Sequence, residues 1–335
     1  MTGAADRGIA PPTAAFARTV LGDVPVDELG VTYAHEHLVI DAPSRPVELV
    51  PDFRLDDVDR MATEILDAAA LGLRTAVDAM PMDAGRNVLK LAELSRRSGV
   101  HIVAPTGFHH ARYYGPAHWS ERATEDELAD LFEADIVEGI DERDASGPIV
   151  RRTAHRARII KVAGSEDGLS SRDRRIFAAA ATAHLRTGAP ILTHTEHGTG
   201  ALEQVRFLGD LGVDPARIAL SHVDKVVDRG YHRELLATGA FGEYDQSFRW
   251  GDAPNGTLTL LSWMLEDGFG DRVLLGMDAA RRHYYRAYGG EPGLGFLLGP
   301  FTSAMEERGI HEEARRRLFI SNPARFLGFS AGGPR

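Results

Sequence analysis

No cysteine occurs among the 335 residues. Disulfides, thiol nucleophiles, Cys-ligated zinc and iron–sulfur clusters are therefore excluded, and any metal site has to be built from histidine, carboxylate or a less usual donor. No stretch approaches the ~18 uninterrupted apolar residues of a transmembrane helix. Positive charge is scarce: 38 Lys and Arg face 49 Asp and Glu, a net charge of −11 with His neutral. That balance argues against binding a phosphate backbone or an anionic membrane surface, so neither nucleic acid nor membrane is an expected partner. Residues Met1–Ala17 lack the apolar core of ~7–15 residues that a signal peptide needs, so a cytoplasmic location is expected. There is no Walker A loop, no HExxH and no GxSxG elbow. Gly198-Thr199-Gly200 opens like a dinucleotide fingerprint, but Glu203 stands where the third glycine belongs.

Histidine, by contrast, is plentiful at 14 residues. Short apolar runs bounded by turn residues recur along the chain at Gly30–Asp41, Thr75–Pro81, His101–His109, Arg158–Ser165, Ala189–His197, Arg217–Lys225, Ala240–Gln246 and Val273–Ala279. Helical patterns lie between them, among them Asp56–Leu71, Arg86–Arg97, Glu125–Gly139, Asp173–Leu185 and Thr199–Leu211. Near-continuous Val/Ile/Leu runs alternating with helices specify a covered parallel sheet. Eight such units over about 300 residues predict an α/β fold, a TIM (β/α)8 barrel with its active site at the C-terminal ends of the strands. A doubly wound sheet is the runner-up. The expected organisation is an N-terminal arm over residues 1–18 and a single barrel domain over 19–330.

Most of the predicted strands end in His, Asp, Glu or Lys. His35 and His37 flank Glu36 at the end of the first. Alternation along a strand points both imidazoles to one side, although two hydrogen-bonded core histidines would read the same way. Lys161 interrupts an apolar run, Ile159-Ile160-Lys161-Val162-Ala163. A lysine there either snorkels or pairs with a carboxylate, or it serves as a nucleophile, a base or an acceptor of carbon dioxide. His194, His222 and Asp278 close the fifth, sixth and eighth strands. Each alone is an ordinary polar strand end. Together, five strands present a metal-capable residue at one end of the same barrel.

Further segments join this set: Thr19–Gly22, Leu29–Thr32 ahead of His35-Glu36-His37-Leu38, Ile160-Lys161-Val162, Thr193-His194, Ser221-His222, Gly276–Ala279, Gly289–Leu294 and Asn322-Pro323-Ala324. In these the chain resembles the phosphotriesterase-related branch of the amidohydrolase superfamily over about Arg18 to Phe329. The resemblance implies two divalent metal ions at the barrel mouth, zinc or alternatively manganese or cobalt. His35, His37 and Asp278 would hold the more buried ion, and His194 and His222 the more exposed one. Carbamylated Lys161 and a hydroxide would bridge them, with Asp278 as the catalytic proton acceptor. It also implies a homodimer. Two positions depart from the phosphotriesterases proper, which carry an Asp and a His as a proton relay where Lys225 and Gln246 stand here. On the third strand, His109 occupies the place of an aromatic residue in lactonase-like relatives.

Arg249, Arg281 and Tyr284 form a basic and hydroxyl-bearing group in the loops after the seventh and eighth strands. With His109 they are the candidate substrate contacts. Arg forks and a phenol suit a phosphate or carboxylate, as in relatives that clamp phosphorylated sugar lactones; the bland alternative is pairing with carboxylates such as Asp245 and Glu291. The expected activity is metal-dependent hydrolysis of a lactone or carboxylic ester, a phosphorylated sugar lactone among them, so the expected partner is a small ester or lactone. The alternatives are a phosphotriesterase (aryldialkylphosphatase) or aryl esterase and, from another class, a non-catalytic metal-dependent ligand-binding barrel.

Overall fold

In the computed structural model, which describes residues 15–251 and 254–329, the predicted strands lie side by side in chain order around a barrel. A hairpin comes first, β1 (Phe16–Thr19) with β2 (Gly22–Pro25). The barrel strands follow: β3 (Thr32–Glu36), β4 (Thr75–Asp78), β5 (His101–Val103), β6 (Pro105–Gly107), β7 (Ile159–Gly164), β8 (Ile191–Thr195), β9 (Ile218–Ser221), β10 (Phe241–Tyr244) and β11 (Val273–Leu275). Every ladder within the barrel is parallel, and β11 meets β3 at a seam without one. Helices such as α1 (Val58–Ala70), α2 (Val88–Ser98), α3 (Glu125–Val137) and α4 (Ser171–Thr187) cover the outside.

Two details depart from the predicted strands. The third is one run in the sequence but two segments in space, β5 and β6, parted at Ala104. Pro105 follows directly and brings no N–H to the ladder. The first strand ends at Glu36 rather than Asp41, with a register shift between Tyr33 and Glu36. At the seam, His35 O accepts from Met277 N at 3.1 Å and Asp278 N at 3.0 Å, while Glu36 Oε1 accepts from Met277 N at 2.8 Å. Gly276 permits this approach, because a Cβ there would lie 2.7 Å from His35 O.

Alternation along the strands divides the core in two. Ile160, Ile191, Leu220, Tyr244 and Leu275 face the helices. Ile159, Leu192, Ala219, Phe241 and Leu274 face the barrel interior, plugged below by Leu29, Phe326 and Leu327. Two residues further along those inward faces come Lys161, His194, Ser221 and Glu243. The polar layer of the barrel thus sits directly above an apolar one, as period-2 geometry requires. Of the expected arm, residues 1–14 lie outside the described residues, and Phe16 already belongs to the hairpin, its ring stacked 4.8 Å from Phe329. Among the described residues no helix is long and apolar enough to cross a membrane.

Candidate metal centre

The polar layer gathers the histidines. His37 Nε2 lies 3.2 Å and His35 Nε2 3.6 Å from Asp278 Oδ1, and these three donors form one cluster fit to hold a metal ion. Across the mouth, His194 Nδ1 faces His222 Nε2 at 3.0 Å. The His35 and His222 rings are 5.1 Å apart, so the two groups adjoin. Lys161 is fully buried beneath them and donates to Ser221 Oγ at 3.2 Å. Burial brings its ammonium down to about 8, against the pull of Glu243, Asp278 and Asp245. Backbone strain occurs here too. Asp278 (φ 49°) and His222 (φ 67°) both take left-handed conformations, uncommon for non-glycine residues and frequent at functional sites.

Four carboxylates unmarked as site residues in the sequence reading orient the donors. Glu243 Oε2 lies 3.0 Å from His35 Nδ1 and accepts from Ser221 Oγ at 2.8 Å. Asp245, considered above only as an ion-pair partner for arginine, instead meets His222 Nδ1 at 2.9 Å and lies 3.3 Å from His35 Nδ1. Burial and Lys161 oppose a charge on His35, yet Glu243 and Asp245 outweigh them and raise it to about 9. Burial also opposes the charge on Asp278, but His222 and Arg249 hold its carboxyl well below the usual range. Glu196 approaches His194 Nε2 at 2.9 Å; the neighbouring His110 and His194 imidazoles hold its carboxyl well below the usual range. Glu243 lies two residues after Phe241 on β10, and Asp245 follows just past the strand end, so alternation held a signal for them.

The fourth is Asp78, at the end of β4. Its carboxylate accepts from Leu38 N (2.8 Å), Val39 N (3.2 Å) and Met80 N (3.0 Å). His37 lies beyond the end of β3, so strand alternation does not aim it; Asp78 fixes the turn that does. Replacing Asp78 with Ala leaves three N–H groups short of their acceptor. We expect a loss of about 2–5 kcal/mol in chemical denaturation. Metal content should fall at the same time, because His37 loses its anchor. Unchanged stability and full metal binding would mean that the turn holds itself.

The centre opens into a cavity of about 300 Å³ whose wall includes His109, Tyr113, Lys225, Gln246, Arg281 and Tyr284. Burial holds His109 well below its ordinary pKa, so it is neutral there. Arg249 reaches the same cavity, but its guanidinium is spent on Asp245 O (2.8 Å), Met277 O (3.0 Å) and Asp278 O (2.5 Å), with Asp278 Oδ2 at 3.3 Å. Arg281 lies over the Phe53 ring, 5.0 Å from its centroid, and only 3.9 Å from Asp52 Oδ2, a long contact.

Residues 16–327 match the model of the phosphotriesterase family. The chain belongs to that family. It is 32% identical to a phospho-furanose lactonase of Mycoplasmopsis synoviae, over 94% of this chain and 92% of the relative. A lactonase from Listeria monocytogenes superposes with a TM-score of 0.85 at 30% identity, covering 94% of this chain and 100% of that one. The phosphotriesterase homology protein of Escherichia coli, solved with phosphate in its active site, gives 0.81 at 30% identity over 90% and 99%. Phosphotriesterase-family barrels are binuclear-metal-dependent, and the His/Asp clusters of this chain can bind metal. The chemistry of the family, read on these donors, is hydrolysis of ester bonds. The fold is the phosphotriesterase-like TIM barrel.

Proposed function

We propose that this family member is a lactonase whose substrate carries an anionic group, with a phosphorylated sugar lactone as the leading candidate. One observation carries the reading: the cavity that holds the metal-binding donors is also lined by cationic and hydroxyl-bearing side chains. Imidazoles and a carboxylate line it together with Lys225, Arg281 and Tyr284. That combination suits a lactone placed with its carbonyl at the metals and its anion on Arg281 and Tyr284. Relatives named phospho-furanose lactonase agree with it. Lys225 also disfavours the triesterase alternative, since an ammonium stands where the proton relay would start.

His35, His37 and Asp278 would hold one ion and His194 and His222 the other. Lys161, carbamylated, would complete both. The chemistry of the donor set fits: imidazoles, with His35 giving up its proton as the ion binds, and a carboxylate suit zinc, with manganese or cobalt as substitutes. When bound, such a pair polarises the ester carbonyl and supplies hydroxide near neutral pH. Asp278 then takes the proton released as the nucleophile attacks and returns it to the leaving alkoxide. Arg249 keeps that carboxylate ionised and fixed between strands. His109 and Tyr113 wall the substrate from the segment after β6.

The test is a lactone and ester panel, with and without phosphate, on metal-reconstituted protein, an organophosphate triester included. Phosphorylated lactones should be preferred. Arg281→Met should lower kcat/KM for the phosphorylated substrate by about 10- to 150-fold, one charge-assisted hydrogen bond of about 1.5–3 kcal/mol. Turnover of the unphosphorylated lactone should barely change. Equal losses on both substrates would assign Arg281 to holding the loop over Phe53 and would remove the anion from the reading.

A further inference from the structure

The outer nitrogens of the metal-ligating histidines are not treated alike. His35 and His222 turn theirs to Glu243 and Asp245, both sealed in the barrel. Among the described residues, His37 Nδ1 has no hydrogen-bond partner. His194 turns Nε2 to Glu196, whose side chain is 19% exposed. The same oxygen, Glu196 Oε2, lies 2.9 Å from His110 Nε2, an ion-pair distance without hydrogen-bond alignment, and Arg112 Nη2 stands 3.5 Å away. One carboxylate oxygen therefore faces two imidazoles from different parts of the chain. His194 comes from β8, and His110 from the loop that also brings His109 and Tyr113 to the cavity.

Both partners of Glu196 are otherwise fixed. The His194 carbonyl accepts from Gln204 Nε2 at 3.1 Å, and the next residue, Thr195, donates through Oγ1 to Ser221 O at 2.6 Å. His110 N donates to His109 Nδ1 at 2.8 Å, and the His109 carbonyl accepts from Arg172 Nη1 at 3.0 Å. Only the ring angle and tautomer of His194 remain to be set. A neutral imidazole carries one N–H. With that hydrogen on Nε2 and given to Glu196, the Nδ1 lone pair is aimed at the space shared with His222 Nε2.

We propose that Glu196 is the positioning residue of the more exposed cation subsite, and that through His110 it ties the affinity of that subsite to the cavity loop. The proposal rests on the reading that His194 and His222 hold a metal ion. Sequence supplies the device cheaply: Glu196 sits two residues beyond the ligand, where the strand gives way to the 3-10 turn Glu196–Gly198. The carboxylate thereby leaves the barrel wall and reaches the loop.

The experiment uses full-length protein loaded with cobalt, whose visible absorption reports the ligand field of each ion, and strips it with graded chelator. Bound metal is counted at each step. Wild type should release two ions per chain. Glu196→Ala should release one of them at about 10- to 100-fold lower chelator, with the other unchanged and with an altered cobalt spectrum. Glu196→Gln, nearly isosteric and still offering an oxygen acceptor, should recover part of the loss; it also serves if the alanine variant does not fold. His110→Gln should shift the same ion less, because the carboxylate remains. Unchanged release in Glu196→Ala and Glu196→Gln would overturn the proposal, as would equal weakening of both ions, the mark of a general structural role. Wild type that binds fewer than two ions would instead defeat the underlying metal reading.

Discussion

Asp278→Asn is expected to lower kcat by about 10²- to 10⁴-fold, or ~3–5 kcal/mol, with the barrel intact. The substitution is unusually clean at this position. Asp278 has φ 49°, a left-handed backbone that asparagine tolerates better than almost any other side chain. Its neighbours keep most of their bonds: Arg249 still donates to the carbonyls of Asp245, Met277 and Asp278, and both Met277 N and Asp278 N still reach His35 O. What disappears is the negative charge 3.2 Å from His37 Nε2, with the capacity to take a proton. The more buried ion should bind less tightly as well, since an amide oxygen is a weaker ligand. The check is single-turnover and steady-state kinetics beside metal counting and a thermal melt. Turnover near wild type would show that another group accepts the proton. A collapsed melt would show that the carboxylate chiefly closes the barrel.

On the proposed reading, in which carbamylated Lys161 would link the two ions, Lys161→Ala is expected to cost at least about 10²-fold in kcat, because that group would contribute to every charge that develops between them, an effect of several kcal/mol. Lys161 is 1% exposed, two residues along the inward face from Ile159, and Gly107 is held against its carbonyl so closely that a Cβ would lie 2.0 Å away. The strand cannot shift to refill the space. Acetate or propionate should therefore enter and restore part of the activity, and Lys161→Met, which fills it, should resist rescue. The amine has to be neutral to take up carbon dioxide. With its pKa lowered to about 8, the neutral share rises from about a tenth at pH 7 to about a half at pH 8. Bicarbonate-dependent reactivation of stripped protein should quicken over that interval. Full activity and full metal content in Lys161→Ala would refute the bridge.

Several parts of this centre are written in the chain itself. A lysine two places after Ile159, and a histidine two places after Leu192, must face wherever those apolar residues face, because a strand alternates with period 2. Once eight such runs close in order, the donors share one layer. The sequence by itself thus determined the barrel, its mouth and the residues gathered there. Tertiary closure decided their partners. His35 finds Glu243 across 208 residues, His222 finds Asp245 rather than leaving it to arginine, and Arg249 is spent on carbonyls that the seam brings beneath it. The break at Pro105 was legible as a missing donor, but the turn that aims His37 depends on a carboxylate 40 residues after Leu38. Alternation is a property of each strand and survives in one dimension; the choice of hydrogen-bond partner depends on which polar groups burial leaves within about 3 Å of one another, and only the closed barrel fixes that distance.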